Sequence, residues 1–204
     1  MSQKQQDILW GERVPGAPYP MTVAELAQLP DDNWPYELVE GRLIRMPGSG
    51  SEATRIAMLL GYFLLSFVLP RQLGDVTGPD GTFDLTQPGD TTETALIPDV
   101  AFVSAGRLPP LGTPAARAYP RLVPDLVAEV VSPSQYHPEM NSKAKFYLEC
   151  GVRLVWILWP EAREVEVWRP STLDAPTTIL DATASLDGLD VLPGFTCPVA
   201  DLLK

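Results

Sequence analysis

The stretch Leu122–Ser134, LVPDLVAEVVSPS, limits what this chain can fold into more sharply than any other. It is apolar, rich in β-branched residues and bounded by prolines, which is the pattern of a buried strand. Side chains alternate along a strand, so Asp125, Val127, Glu129 and Val131 share one face while Leu126, Ala128 and Val130 share the other. A glutamate in the middle of such a run is costly unless a partner neutralises it or its face opens into a cleft. The ordinary solutions are a salt bridge to an arginine such as Arg153, or an edge strand facing water. The other solution is a site.

A second run carries the same anomaly. In ALIPDVAFVS (Ala95–Ser104), Asp99 interrupts an apolar strand directly after Pro98. Two neighbouring strands, each with one carboxylate, could bring both to one divalent cation. Mg²⁺ suits such a place, because it takes one or two carboxylates and fills its octahedron with water and substrate phosphate. The ion activates a water and stabilises the leaving oxygen of a phosphodiester. A bound phosphate also calls for a cation nearby, and Lys143 and Lys145 lie on the helix after the glutamate strand. The turn at Ser132-Pro133-Ser134 would return that helix across the sheet, with Lys143 and Tyr147 on one face. A lysine on a surface helix is ordinarily only solvated. The combination is the signal.

The remaining chain supplies the frame. Residues 1–20 read as a loosely ordered arm. Thr22, with Glu25 three residues on, has capping-box spacing for a short helix. YELVEGRLIRM (Tyr36–Met46) reads as a hairpin around Glu40-Gly41, and a long helix begins at Ser51 with Glu52 in its first turn. Its apolar part, Ile56–Leu69, falls short of the roughly 20 residues a membrane span needs, so it is read as a core helix and no membrane is expected. After Gly74 come two extended pieces around Pro79-Asp80-Gly81, then the Ala95–Ser104 strand and a proline-rich loop over 105–121. A helix over Pro138–Glu149 precedes a hairpin, Val152–Trp159 with Glu164–Pro170, and the tail closes the domain edge. The expectation is a mixed α/β fold: an arm (1–20), then one domain (21–204) with a central mixed sheet flanked by helices. No glycine-rich loop of the dinucleotide or Walker type is present.

Composition narrows the chemistry. With 26 acidic and 15 basic side chains the net charge is −11, unlike proteins that grip nucleic acid through phosphate contacts alone. Two cysteines make no disulfide framework, and the N-terminus lacks a signal-peptide pattern, so a cytoplasmic setting is expected. His137 is the only histidine, which speaks against a His-rich zinc site, and no serine has a nucleophile-elbow setting. Cys150 reads as core. Trp156, Trp159 and Trp168 read as cross-strand packing. Arg42, Arg45 and Arg55 could flank a cleft near Glu52.

Taken together, YELVEGRL, IPDVAFVS, PDLVAEVVSPS and KAKFYLECGVRLVWIL resemble the Uma-two family of restriction endonucleases, within the PD-(D/E)XK nuclease superfamily. The resemblance spans roughly residues 21–200. It implies a restriction-endonuclease-like fold and a Mg²⁺-dependent endonuclease, with Mn²⁺ as substitute, acting on DNA. Asp99 matches the PD aspartate and Glu129 the acidic residue of the second motif. They would hold the metal together with the backbone carbonyl of Val130. The superfamily lysine two residues after the acid is Val131 here. In the family a lysine of the following helix substitutes, and that position is Lys143 rather than Lys145. Glu52 matches a glutamate of the first long helix, with a second-sphere or second-metal role, although Ala53 stands where a histidine commonly follows. Glu37 matches a recurrent position. A homodimer is expected, because duplex cleavage needs two sites. The rival reading is a non-catalytic binding protein on the same fold, which the net charge favours.

Overall fold

The computed structural model describes residues 10–204 except Asp31 and Ser134. Its first elements are β1 (Glu12–Arg13), α1 (Val23–Leu26), β2 (Tyr36–Val39), β3 (Arg42–Arg45) and α2 (Ser51–Arg71). The capping box forms as expected: Thr22 N–H donates to the Glu25 carboxylate at 2.7 Å, and Glu25 N–H donates back to the Thr22 hydroxyl at 3.2 Å. The β2–β3 hairpin turns through Glu40 (φ 47°) and Gly41 (φ 75°). Two consecutive positive φ values match the right-handed twist of the flanking strands.

Next come β4 (Gly74–Thr77), β5 (Phe83–Asp84), β6 (Ala95–Leu96), β7 (Val100–Ser104), β8 (Leu126–Val130) and α3 (His137–Glu149). The chain closes with β9 (Leu154–Trp159), β10 (Glu164–Trp168), β11 (Thr178–Leu180), β12 (Ser185–Asp187), β13 (Thr196–Pro198) and α4 (Val199–Leu202). The main sheet has six strands in the order β11-β10-β9-β8-β7-β4. Only β8 and β9 run parallel in it, joined by the α3 crossover that parallel neighbours require. The fold is mixed α/β.

Where one sheet was expected, the described residues form three. A five-stranded antiparallel sheet, β1-β3-β2-β6-β5, is separate from the main one in its pairing but shares a core with it, and β12-β13 form a small pair. Ala95–Ser104 is therefore not one strand. Its first two residues pair in the five-stranded sheet, Ile97–Asp99 bridge the gap, and Val100–Ser104 join the main sheet. The two pieces around Pro79-Asp80-Gly81 part in the same way, β4 to one sheet and β5 to the other.

The alternation read from β8 holds. Leu126, Ala128 and Val130 pack with Leu60, Leu64 and Val68 of α2, while Val127 and Val131 pack with Met140, Ala144 and Tyr147 of α3. Each fully buried leucine contributes about 1.5–3 kcal/mol of transfer free energy. At 21 residues α2 is longer than its apolar run suggested, and by length and composition alone it could cross a bilayer. In this fold one of its faces lies on the sheet.

Two corrections concern the ends. The tail does more than close an edge: Leu186, Leu192, Phe195, Cys197 and Leu202 enter the core beneath α2, and Phe195 stacks on Trp156 at 6.0 Å. Residues 1–9 of the expected arm lie outside the described residues. In the described part of the arm Trp10 is anchored, only 4% exposed, and β1 pairs with β3, while most of the residues from Glu12 to Pro20 are exposed.

Candidate active site

The β7–β8 register brings the two carboxylates together. The last paired residues are Val100 and Ala128, so one step further Asp99 falls opposite Glu129, on the face covered by α3. Residues opposite one another in an antiparallel pair share a face and lie close. Pairing stops there because Pro98 has no N–H to give and the chain turns toward β6. Instead, the Val130 N–H donates to Asp99 Oδ2 at 2.7 Å. The strands part where both acids stand.

Around Glu129, which is 5% exposed, α3 supplies two donors. Lys143 Nζ lies 2.9 Å from Glu129 Oε1, and the Tyr147 hydroxyl donates to the same oxygen at 2.7 Å. Lys143, 1% exposed, also lies 3.1 Å from Oε1 of Glu37, itself 0% exposed. Glu37 accepts twice more: Ile97 N–H at Oε1, 3.0 Å, and the Trp10 indole N–H at Oε2, 2.6 Å. One carboxylate of β2 thus grips both the helix lysine and the bridge that leads to Asp99. The open side is a pocket of about 270 Å³ whose lining includes Asp80, Ile97, Asp99, Glu129, Val130 and Lys143.

Electrostatics reflect crowding. Burial raises the Asp99 carboxyl, against the opposing Val130 amide and Lys143. Burial likewise pushes Glu129 up to about 8, opposed by Lys143 and reinforced by Asp99 and Glu37. For Lys143, burial alone would lower the value, but the Glu129 and Glu37 carboxylates outweigh it and hold the ammonium protonated. Three carboxylates face one ammonium, which leaves a net charge of minus two when all are ionised.

That imbalance is what a divalent cation would neutralise, and the donor set fits one. Among the described residues, Oδ1 of Asp99 and Oε2 of Glu129 have no hydrogen-bond partner, and Val130 lines the same pocket. Among them too, no group of three or more His, Cys, Asp or Glu side chains is arranged to hold a metal unaided. Mg²⁺ does not require such a cage, since it keeps several waters.

The structure brings Asp99, Glu129, Val130 and Lys143 together and leaves Glu52 apart. Glu52 is exposed in the first turn of α2 and does not line the pocket, whereas Thr54 does. Lys145 points away to Asp174, at 2.7 Å. Asp125 is the acid with the ordinary solution, bonded to Arg107 at 2.6 Å and to Ser104 N–H at 2.8 Å, with Arg153 at 3.8 Å. His137 stacks on Trp159, and Arg45 pairs with Glu12, so neither lines the pocket. Sequence reasoning gave Glu37 only a recurrent position. Its signal was there to read, because YELV is an apolar strand with one lone carboxylate, the anomaly already recognised at Asp99 and Glu129. Tyr147 was placed on the right face without a role, and Asp80 was read only as a turn residue.

Comparison with known proteins meets this geometry from two sides. A family model, Uma2, described as "Putative restriction endonuclease", matches residues 23–200. A crystal structure of a "putative nuclease belonging to DUF820" from Anabaena variabilis superposes with a TM-score of 0.72 at 21% identity, covering 90% of this chain and 98% of that one. At that identity the likeness is one of fold. No curated protein matches the chain. The matched residues include Glu37, Asp99, Glu129 and Lys143, and the chain belongs to the Uma2 family.

Proposed function

We propose that this pocket hydrolyses phosphodiester bonds of DNA as a Mg²⁺-dependent endonuclease, with Mn²⁺ able to replace Mg²⁺. The observation that carries the reading is the pair Asp99 and Glu129 at the parting of β7 and β8, with Lys143 Nζ 2.9 Å from Glu129. Asp99, Glu129 and the Val130 carbonyl would hold the ion. When bound, it supplies Lewis-acid activation of water and charge stabilisation at the leaving oxygen. Lys143 orients that water and faces the charge that develops on the phosphate. Because its neighbours keep it protonated, it acts as a donor and not as a general base. Glu129 is held at one oxygen by Lys143 and Tyr147, so its other oxygen has a fixed direction. Glu52 has no step inside the pocket. The role left to it is a second-sphere or second-metal contact.

The net charge of −11 means that affinity leans on the metal and on local contacts, not on a basic surface, and a shallow salt dependence is expected. Cleavage of both strands would be served by a homodimer. The same charge is the observation that favours the second reading, a binding protein that keeps the fold without the reaction.

The test is nicking of supercoiled plasmid with Mg²⁺, with Mn²⁺ and with chelator, comparing wild type with Glu129→Gln. Metal-dependent nicking that disappears in the variant supports the nuclease. Absent nicking, or equal nicking by both proteins, moves the weight to the binding protein.

A further inference from the structure

The segment that touches the site most unexpectedly lies before the family-matched residues, which begin at 23. Trp10 is almost wholly buried, and its indole N–H donates to Glu37 Oε2 at 2.6 Å. Its ring meets Phe146 of α3 at 5.5 Å, and Lys143 Nζ lies 5.9 Å from its centroid. The next residue explains how the chain comes so close. A Cβ on Gly11 would lie 2.6 Å from Ile44 Cγ2, 2.9 Å from the Arg45 carbonyl and 3.0 Å from the Met46 sulfur. Only glycine lets this backbone press onto β3 beside Met46, which lines the pocket. Beyond it, Glu12 pairs with Arg45 and Arg13 stands opposite Ile44, which fixes the register.

Glu37 needs what Trp10 gives. Its Oε1 serves both Lys143 and the Ile97 amide, while Trp10 is the partner of Oε2 among the described residues. A carboxylate without a donor on one oxygen turns about a soft two-fold torsion, and a buried oxygen left unpaired is expensive. An indole N–H only donates. It therefore holds the carboxylate without competing for the lysine's protons.

We propose that Trp10 is a positioning residue of this site: its indole N–H fixes Glu37, and Glu37 in turn fixes Lys143 against Glu129. The catalytic part of this assignment rests on the nuclease reading. The coupling of Trp10 to Lys143 does not.

Two measurements on the full chain separate them. The first needs no activity. In a ¹⁵N-lysine spectrum, Lys143 is the buried lysine among the described residues, and its ammonium protons are expected to exchange slowly enough to be followed. Trp10→Phe, which keeps the ring but removes the N–H, should displace that resonance. Trp10→His, which keeps a ring donor, should displace it less. The second is plasmid cleavage with Mg²⁺. Trp10→Phe should lower kcat about 10- to 100-fold, the scale of lost support behind a site residue, with KM for DNA little changed and a melting temperature lowered by the unpaired Glu37 oxygen but well above the assay temperature. In a Glu37→Gln background the same change should cost nothing more, because the two act through one contact. A Lys143 resonance that ignores Trp10→Phe, or equal effects of Phe and His, overturns the proposal. So do kcat losses that multiply in the double variant. If wild type cleaves no DNA while the Lys143 resonance moves as expected, the nuclease reading fails and the coupling stands.

Discussion

Asp99 holds the amide of Val130 at 2.7 Å across the point where their strands separate. This side chain accepts the amide hydrogen bond that a backbone carbonyl of the departing strand would otherwise take. Its second oxygen is thereby aimed at the pocket shared with Glu129. The relation separates two jobs that are usually confounded, since the bond to Val130 is structural and the free oxygen is the one a cation would use.

Asp99→Asn should therefore fold. An amide oxygen can still accept from Val130 N–H, so the melting temperature in chelator should stay within a few degrees of wild type. Metal binding should fall sharply, because a charge is lost from the donor set. Isothermal titration with Mn²⁺ checks this, and unaltered binding would remove Asp99 from the metal site.

Metal should also stabilise the protein in a pH-dependent way. Glu129 is raised from 4.5 to about 8 by burial, and Asp99 is raised in the same direction. A carboxyl raised in the folded state binds its proton more tightly there than in the unfolded chain. Its stabilising contribution is complete below pH 4.5 and is lost as pH climbs through 8. In chelator the melting temperature should decline across that window. With Mg²⁺ the decline should flatten, because the ion takes the place of the protons. Melting curves at several pH values, with and without Mg²⁺, decide it. A melting temperature that rises with pH in chelator contradicts the assignment.

Removing Lys143 should harm the fold as well as the reaction. Lys143→Met leaves Glu37 and Glu129 buried without their shared cation. Breaking a buried ion pair from one side costs about 3–5 kcal/mol. Urea denaturation at pH 7 should show that loss. A variant as stable as wild type at pH 7 would mean that the cluster is not held by charge.

By contrast, Leu64→Ala, on the buried face of α2 against the opposite side of the main sheet, should destabilise by about 2–5 kcal/mol. Cleavage per folded molecule should not change. Denaturation and activity assays run on the same sample test both halves, and lost specific activity with a folded protein would show coupling through the sheet.

Much of this was legible in the residues. The β8 alternation, the α1 cap, the β2–β3 turn and the helix that carries Lys143 follow from local patterns of side chain and backbone, which sequence displays directly. The second sheet did not show. Ala95–Ser104 is continuous in hydropathy, and nothing in it distinguishes Leu96, paired in one sheet, from Val100, paired in another. Only Pro98 marks the break, and a proline alone does not say where the chain goes next. That Glu52 stands outside the pocket lining was not legible for a similar reason: a helix fixes which residues share a face but not which face meets a distant strand. Trp10 lay beyond any local rule, because its partner stands 27 residues away.

The bridge Ile97–Asp99 has one further consequence, for how this chain can change length. The strands on either side of it are pinned to two separate sheets, and its own two ends are fastened by Glu37 at Ile97 and by Val130 at Asp99. A single inserted or deleted residue there would reverse the side of the sheet that each following side chain faces. Insertions can gather in the proline-rich loop before β8 without disturbing the acids. The bridge allows changes of identity at Ile97 but no change of count.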